Sequence, residues 1–310
     1  MRFRAILSFL CVTALAGSLV YAAPAAQIRV QVNLVSLYAT VRDKHKAVVK
    51  GLTKDDFEVY EDGQLQEITG FSAETDLPIT LGILMDTSGS ETYMLSAEKE
   101  AASRFLGRLM RKGDLSMVMS FDSDVDLLAD FTNERSRLDR AINRAQINVP
   151  TGTMINSGTI PSSGGGTNFY DAVYLAAHDK LSGEAGRKAI LVLTDAEDTG
   201  SKLNLQDAIE AAQRTDTVVH LLLISADGGD YYVAKKLTDE TGGRTIVVRN
   251  ERNLEQAFDE ILEELRTQYT LSYTPSNKKQ DGSYRKIKVE MKNKEFSTMA
   301  RKGYYAPRGN

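Results

Sequence analysis

The chain contains one cysteine, Cys11, in 310 residues. It therefore has no disulfide framework, and thiolate metal sites and cysteine nucleophiles drop out with it. Histidine is almost as scarce, with only His45, His178 and His220. No two of them have zinc-ligand spacing, and none neighbours a serine in a nucleophile-elbow pattern. Gly164-Gly165-Gly166 is not followed by the lysine of a phosphate loop. After residue 22 no apolar run is long enough to span a bilayer, and no short period recurs to indicate a solenoid or propeller. Lys and Arg number 38 against 42 Asp and Glu, a formal net charge of −4. That balance excludes a general nucleic-acid or anionic-membrane surface.

At the start of the chain, Arg2 and Arg4 precede an uncharged stretch from Ala5 to Val20, and Val20-Tyr21-Ala22 places small residues where a signal peptidase reads. The expectation is a secretory signal peptide over 1–22, cleaved after Ala22, and export to a periplasm or beyond. An uncleaved N-terminal anchor is the alternative. The mature chain would carry no cysteine and no transmembrane segment. A domain large enough to bury a core needs no disulfide, even in an oxidising compartment.

Three grammars follow. Over 23–76, Ile28 to Val41 alternates, with Val30, Val32, Leu34 and Ser36 on one side and Leu37 and Ala39 breaking the register. Asp62-Gly63 then joins Phe57-Glu58-Val59-Tyr60 to a single run from Gln64 to Phe71 as a hairpin. Over 77–266, buried apolar strands alternate with helical periodicity. The strands are Ile79–Met85, Leu115–Phe121, a short edge strand at Val125–Leu128, Ala189–Leu193, Val218–Ile224 and Ile246–Val248. This pattern specifies an α/β fold, a doubly wound and mostly parallel sheet. Over 267–310 the period returns to two, with a turn at Asp281-Gly282 and a last strand within Thr298–Tyr305. The economical arrangement pairs the two β ends into one small sandwich into which the α/β domain is inserted. Two independent β appendages are the alternative. Asn148 to Gly166, rich in Gly, Ser, Thr and Pro, fits neither grammar and reads as a functional or mobile loop.

The chemistry concentrates at strand ends. Asp86-Thr87-Ser88-Gly89-Ser90 follows one buried strand, Asp195 ends another, and Thr167 immediately precedes a helix. Ligand sites in open α/β sheets form outside the carboxyl ends of the strands. Two carboxylates and three hydroxyls suit a hard divalent cation, and no imidazole or thiolate is present to favour zinc. Capping and turn formation are the plainer roles for the same residue types.

Asp86-x-Ser88-x-Ser90, the later Thr167 and Asp195 at a strand end resemble the metal-ion-dependent adhesion site of von Willebrand factor A domains, over roughly 77–266. The flanking segments are similar to those of an exported bacterial subgroup ending near Gly-Tyr-Tyr, here Gly303-Tyr304-Tyr305. The resemblance implies a cation, magnesium first with manganese or calcium as alternatives, held by Asp86, Ser88, Ser90, Thr167 and Asp195. The hydroxyls would contact it directly or nearly so, and the two aspartates partly through water. A carboxylate from a protein or other envelope ligand would complete an octahedral shell. The implied function is a ligand-binding or adhesion module and not an enzyme. A metal-assisted hydrolase of the envelope is the rival reading, and an assembly role in an envelope complex would use the same site. Asp171 is expected to act structurally at a helix start. Glu197 and Asp198 are expected either to hold a second cation, to orient Asp195, or simply to be solvated.

Overall fold

The computed structural model describes residues 34–73, 77–147, 166–225 and 229–309. The signal-peptide reading, the strand residues before 34 and nearly all of the 148–166 loop lie outside them.

Continuous apolar runs become strands buried on both faces. β5 (Ile79–Asp86), β8 (Arg187–Thr194) and β9 (Thr217–Ile224) bury almost every side chain. With β6 (Leu115–Phe121), β7 (Val125–Thr132) and β10 (Thr245–Val248) they form a six-stranded sheet in the order β10-β9-β8-β5-β6-β7. All neighbours run parallel except β7, which pairs antiparallel with β6 at the edge. That edge strand is longer than the sequence alone indicates.

Helices cover both faces, as a sheet that is apolar on both sides requires. α1 (Leu95–Leu109), α2 (Arg135–Arg144) and α6 (Glu251–Thr267) bury their apolar stripes on one face. α3 (Phe169–Tyr174, running on as a π-helix to Leu181), α4 (Leu205–Arg214) and α5 (Tyr231–Thr241) cover the other. The sheet order reverses direction at β5. The chain first adds β6 and β7 on one side, then returns to place β8 on the other. The crevice between β5 and β8 is therefore the topological switch point, where ligands bind in such sheets.

The β ends form two four-stranded sheets, ordered β13-β1-β11-β4 and β14-β12-β2-β3. β1 (Val35–Arg42), β2 (Phe57–Glu61), β3 (Gln64–Gln66) and β4 (Ile68–Ser72) come from the first segment. β11 (Tyr269–Tyr273), β12 (Tyr284–Met291), β13 (Ser297–Met299) and β14 (Gly303–Tyr305) come from the last. Each sheet mixes strands from both segments, and both contribute to one core that includes Leu37, Val41, Phe57, Val59, Tyr269, Leu271, Ile287 and Met291. The Asp62-Gly63 turn has positive φ at both residues, 48° and 82°, as a type I′ hairpin between β2 and β3 demands.

Three local expectations need correction. The inward face of β1 is Val35, Leu37, Ala39 and Val41, whereas Leu34 is exposed and Ser36 only half-buried. The register is one residue from that expected, because pairing with β11 selects the face and both faces of this run are partly apolar. The run from Gln64 to Phe71 is two strands, and the chain changes sheet between them at Glu67. The last strand within Thr298–Tyr305 is likewise two short ones in different sheets.

The sandwich meets the α/β unit at the amino ends of the strands. The Tyr38 hydroxyl donates to the Gly186 carbonyl just before β8, and Arg301 donates to Ser36 and ion-pairs with Asp216 just before β9. Tyr305 donates to Glu210 of α4 at 3.2 Å, with the Arg214 guanidinium over its ring. A further link is a buried ion pair: Arg42 Nη2 of β1 donates to Glu264 Oε2 of α6 at 2.8 Å. Glu264 is fully buried, with His220 Nδ1 and Arg244 Nη1 each 4.0 Å from its carboxylate.

Breaking such a pair leaves an uncompensated buried charge. Glu264→Ala should lower unfolding free energy by about 3–5 kcal/mol, measured by urea denaturation. The apolar double replacement Arg42→Met with Glu264→Leu should recover much of that loss. A single variant as stable as wild type would show that the pair does not hold the two parts together.

Candidate metal centre

The adjacency of β5 and β8 brings their last residues side by side. Met85 is in register with Leu193, which leaves Asp86 beside Thr194. The Thr194 hydroxyl donates to Asp86 Oδ2 at 2.6 Å, and the Ser88 amide donates to Asp86 Oδ1 at 2.8 Å. The Ala196 amide donates back to the Thr194 hydroxyl, and the Glu197 amide to Asp195 Oδ1. Asp86 is fully buried and Asp195 nearly so. Ser88 is half-buried, Ser90 is exposed, and their hydroxyls lie 2.9 Å apart. Buried carboxylates thus form the floor, and hydroxyls face the water.

Backbone geometry around Asp195 is tightly set. Ala196 takes a left-handed conformation, φ 63°. The Asp230 amide, at the N-cap of α5, donates to the Asp195 carbonyl at 2.9 Å. Gly229, φ 49°, passes so close to that carbonyl that a Cβ would stand 2.3 Å from its oxygen. Only glycine lets the two loops approach in this way.

Thr167 reaches the same edge through other bonds. Its amide donates to the Thr199 hydroxyl at 2.9 Å, and its carbonyl accepts from the amides of Thr199 and Gly200. The Asn168 amide donates to the Asp122 carbonyl at 2.7 Å, while the Thr87 hydroxyl donates to Asp122 Oδ2 at 2.9 Å. The loops after β5, β6 and β8 and the start of α3 are therefore laced together. Asp171 accepts from the amides of Lys202 and Leu203, and Asp198 from the Tyr170 amide and the Ser201 hydroxyl. Both act as loop ties, the structural role expected for Asp171. Glu197 is exposed.

Sequence reasoning missed two groups. Carboxylate oxygens of Asp86, Asp195 and Glu91 all lie within 4.8 Å of one another. Glu91 sits in the 3₁₀ turn Gly89–Tyr93, is 1% exposed, and leaves Oε1 without a partner. Glu98, one helical turn into α1, is 0% exposed, and its carboxyl meets the Glu91 carboxyl but no N–H or hydroxyl donor. Among the described residues, no Lys or Arg ion-pairs with any of these four acids. The inward aim of the 3₁₀ turn reveals Glu91, whereas Glu98 lies on the buried stripe of α1 with Leu95, Ala101, Ala102 and Phe105.

Burial pushes the Asp86 carboxyl up to about 6, partly offset by the hydrogen bonds from Ser88 and Thr194 and reinforced by Asp195. Burial, then mutual repulsion and the nearby aspartates, pushes Glu91 well above the usual carboxylate range; burial does the same to Glu98. An oxygen-only donor set with orphaned buried carboxylates fits a hard divalent cation, which would supply the missing positive charge. The histidines serve elsewhere. His178 stacks on Tyr174, and His220 lies within β9 beside Glu264.

Residues 81–200 match the family model of the von Willebrand factor type A domain. No curated protein matches the chain in sequence. Among solved structures, proximal thread matrix protein 1 from the mussel byssus is 10% identical with a TM-score of 0.52, over 66% of this chain and 51% of that one. The chain thus spans about half the length of the mussel protein. A von Willebrand factor type A protein from Catenulispora acidiphila is 13% identical, TM-score 0.48, over 89% and 75%. The vWF domain of the type V pili tip protein Mfa5 from Porphyromonas gingivalis is 14% identical, TM-score 0.46, over 62% and 96%.

The raised carboxyl has a signed consequence. Asp86 prefers its neutral form in the fold more than in the unfolded chain, so its ionisation destabilises the metal-free protein above about pH 6. That destabilisation is relieved as the pH falls toward the ordinary carboxylate range. In chelator, the melting temperature should therefore rise as the pH falls from 7.5 to 4.5, with the buried Glu91 and Glu98 contributing to the same rise, and Asp86→Asn should reduce the part that lies below about pH 6 without abolishing the whole. A wild-type melting temperature that falls steadily over the same window would contradict this account.

Proposed function

We propose that this chain, whose α/β core is a von Willebrand factor type A domain, is an exported binding module that grips an acidic group of a protein partner through a divalent cation. Asp86, Ser88, Ser90, Thr167 and Asp195 would hold the ion. One observation carries the reading: two buried carboxylates without a basic partner converge at the switch point, beneath a pair of hydroxyls open to solvent. A cation there relieves the repulsion below and presents a coordination position above. The amino-terminal sequence supports export, and among the described residues no helix is long and apolar enough to cross a membrane.

The surroundings favour a protein over a small ion or sugar. Tyr93, in the 3₁₀ turn after Ser90, is 92% exposed, and Tyr231 and Tyr232 at the start of α5 are 49% and 73% exposed. All three lie on loops or helix starts at the same end of the sheet as the acids. Exposed aromatics are the commonest anchors of protein interfaces, and a central ion ringed by them suits an acidic side chain with apolar neighbours.

The test is partner capture from envelope extract with a divalent cation present, followed by elution with chelator, alongside calorimetric cation titration. Asp86→Ala should lose both cation and partner while remaining folded. Thr167→Ala should weaken partner binding by about tenfold, as expected for one lost contact to a charged centre. If capture persists in chelator, or wild type shows neither heat nor a melting shift with any divalent cation, the reading is wrong.

A further inference from the structure

The five residues of the sequence pattern leave one grouped carboxylate unexplained. Glu91 is not a solvated acid that happens to be near. Its amide donates to the Ser88 carbonyl at 3.1 Å, and its own carbonyl accepts from the Met94 amide at 3.0 Å. The backbone is thus pinned on both sides, with the side chain turned inward to 1% exposure. Oε1 meets no N–H or hydroxyl donor, and the buried Glu98 behind it, which meets none at either oxygen, is within hydrogen-bond reach of the Glu91 carboxyl itself. Buried carboxyl groups that meet only one another are expensive to ionise unless a cation joins them.

The spacing suits one ion. Oxygens bound to a calcium-sized cation at about 2.3–2.6 Å stand at most about 5 Å apart across it. The carboxylate oxygens of Asp86, Glu91 and Asp195 meet that limit, all falling within 4.8 Å of one another. Magnesium keeps several waters and is usually bound through one or two carboxylates, whereas calcium accepts six to eight oxygens in flexible geometry. Three carboxylates plus nearby hydroxyls make a protein-rich oxygen set.

Resting on the reading of this edge as a cation site, we propose that Glu91 is a third carboxylate ligand, entering from the protein side, and that it makes the centre prefer calcium to magnesium. Glu98 is a positioning residue that keeps Glu91 turned inward. The larger calcium shell leaves room on the solvent side, near Ser88 and Ser90, for water or an oxygen of the partner. The preference replaces the magnesium expected from the five-residue pattern, because that pattern does not count Glu91.

The experiment is calorimetric titration of chelator-stripped full chain with calcium chloride and, separately, magnesium chloride, with thermal melts in parallel. Wild type, Glu91→Gln and Glu91→Met are compared; the Met variant fills the same space without charge and serves if the Gln variant does not fold. Wild type should bind calcium about tenfold or more tightly than magnesium. The variants should lose about tenfold or more in calcium affinity, the usual scale for removing a group that supports a bound metal. Their magnesium affinity should change less, so the preference collapses. Calcium affinity unchanged in a folded variant, or a wild type that prefers magnesium, overturns the role of Glu91 and leaves the cation site standing. A wild type that binds neither ion overturns the cation site itself, and this inference with it.

Discussion

Like charge held in a dry place is the constraint around which this molecule is arranged. Parallel pairing of β5 with β8 forces Asp86 and Asp195 together, and the turn after Ser90 adds Glu91. Water cannot reach Asp86 to solvate it, and among the described residues no basic side chain pairs with it. What the fold supplies is fixed dipoles. The Thr194 hydroxyl and the amides of Ser88 and Glu197 each point at a carboxylate oxygen. These bonds hold the acids in place without neutralising them, so the arrangement is pre-strained electrostatically and rigid mechanically.

The rigidity has a source at the other end of the sheet. The sandwich made from both ends of the chain docks at the amino ends of the strands, through Tyr38, Arg42, Arg301 and Tyr305. Inside it, Glu61 accepts from the hydroxyls of Tyr273 and Tyr304 at 2.8 and 3.0 Å, with Arg285 beside it. Tyr304, the middle of the Gly-Tyr-Tyr sequence, is thereby a core residue of the sandwich, while Tyr305 ties it to α4. The sandwich contacts thus lie at one end of the sheet and the acidic loops at the other. Such a division is common where a scaffold positions a site.

The sequence announces this architecture unevenly. Runs such as Ile79–Met85 and Ala189–Leu193 can only be strands buried on both faces, and their order with the helices leaves one fold class. Asp86, Ser88, Ser90, Thr167 and Asp195 are recognisable because each stands just past a strand or just before a helix. Glu91 is not, since an acid at a helix start normally faces water and favours the helix dipole. Its burial depends on a single 3₁₀ turn, which no periodicity encodes. The face of β1 is misread for a related reason: Val35, Leu37, Ala39 and Val41 become interior only because β11 and β13 flank the strand and the second sheet packs on that face. The alternation of one strand does not carry its partner's identity.

That pairing governs the order in which the chain can acquire its shape. Ser36 and Ser272 meet across a separation of 236 residues, and among the described residues the sheet neighbours of β1 are β11 and β13 from the last segment. The first strands to be synthesised therefore keep open edges until the last have emerged. Folding of this sandwich is of high contact order, since its sheets close only when strands from both segments meet. Until β11 and β13 have been made, β1 has no sheet to lock into among the described residues.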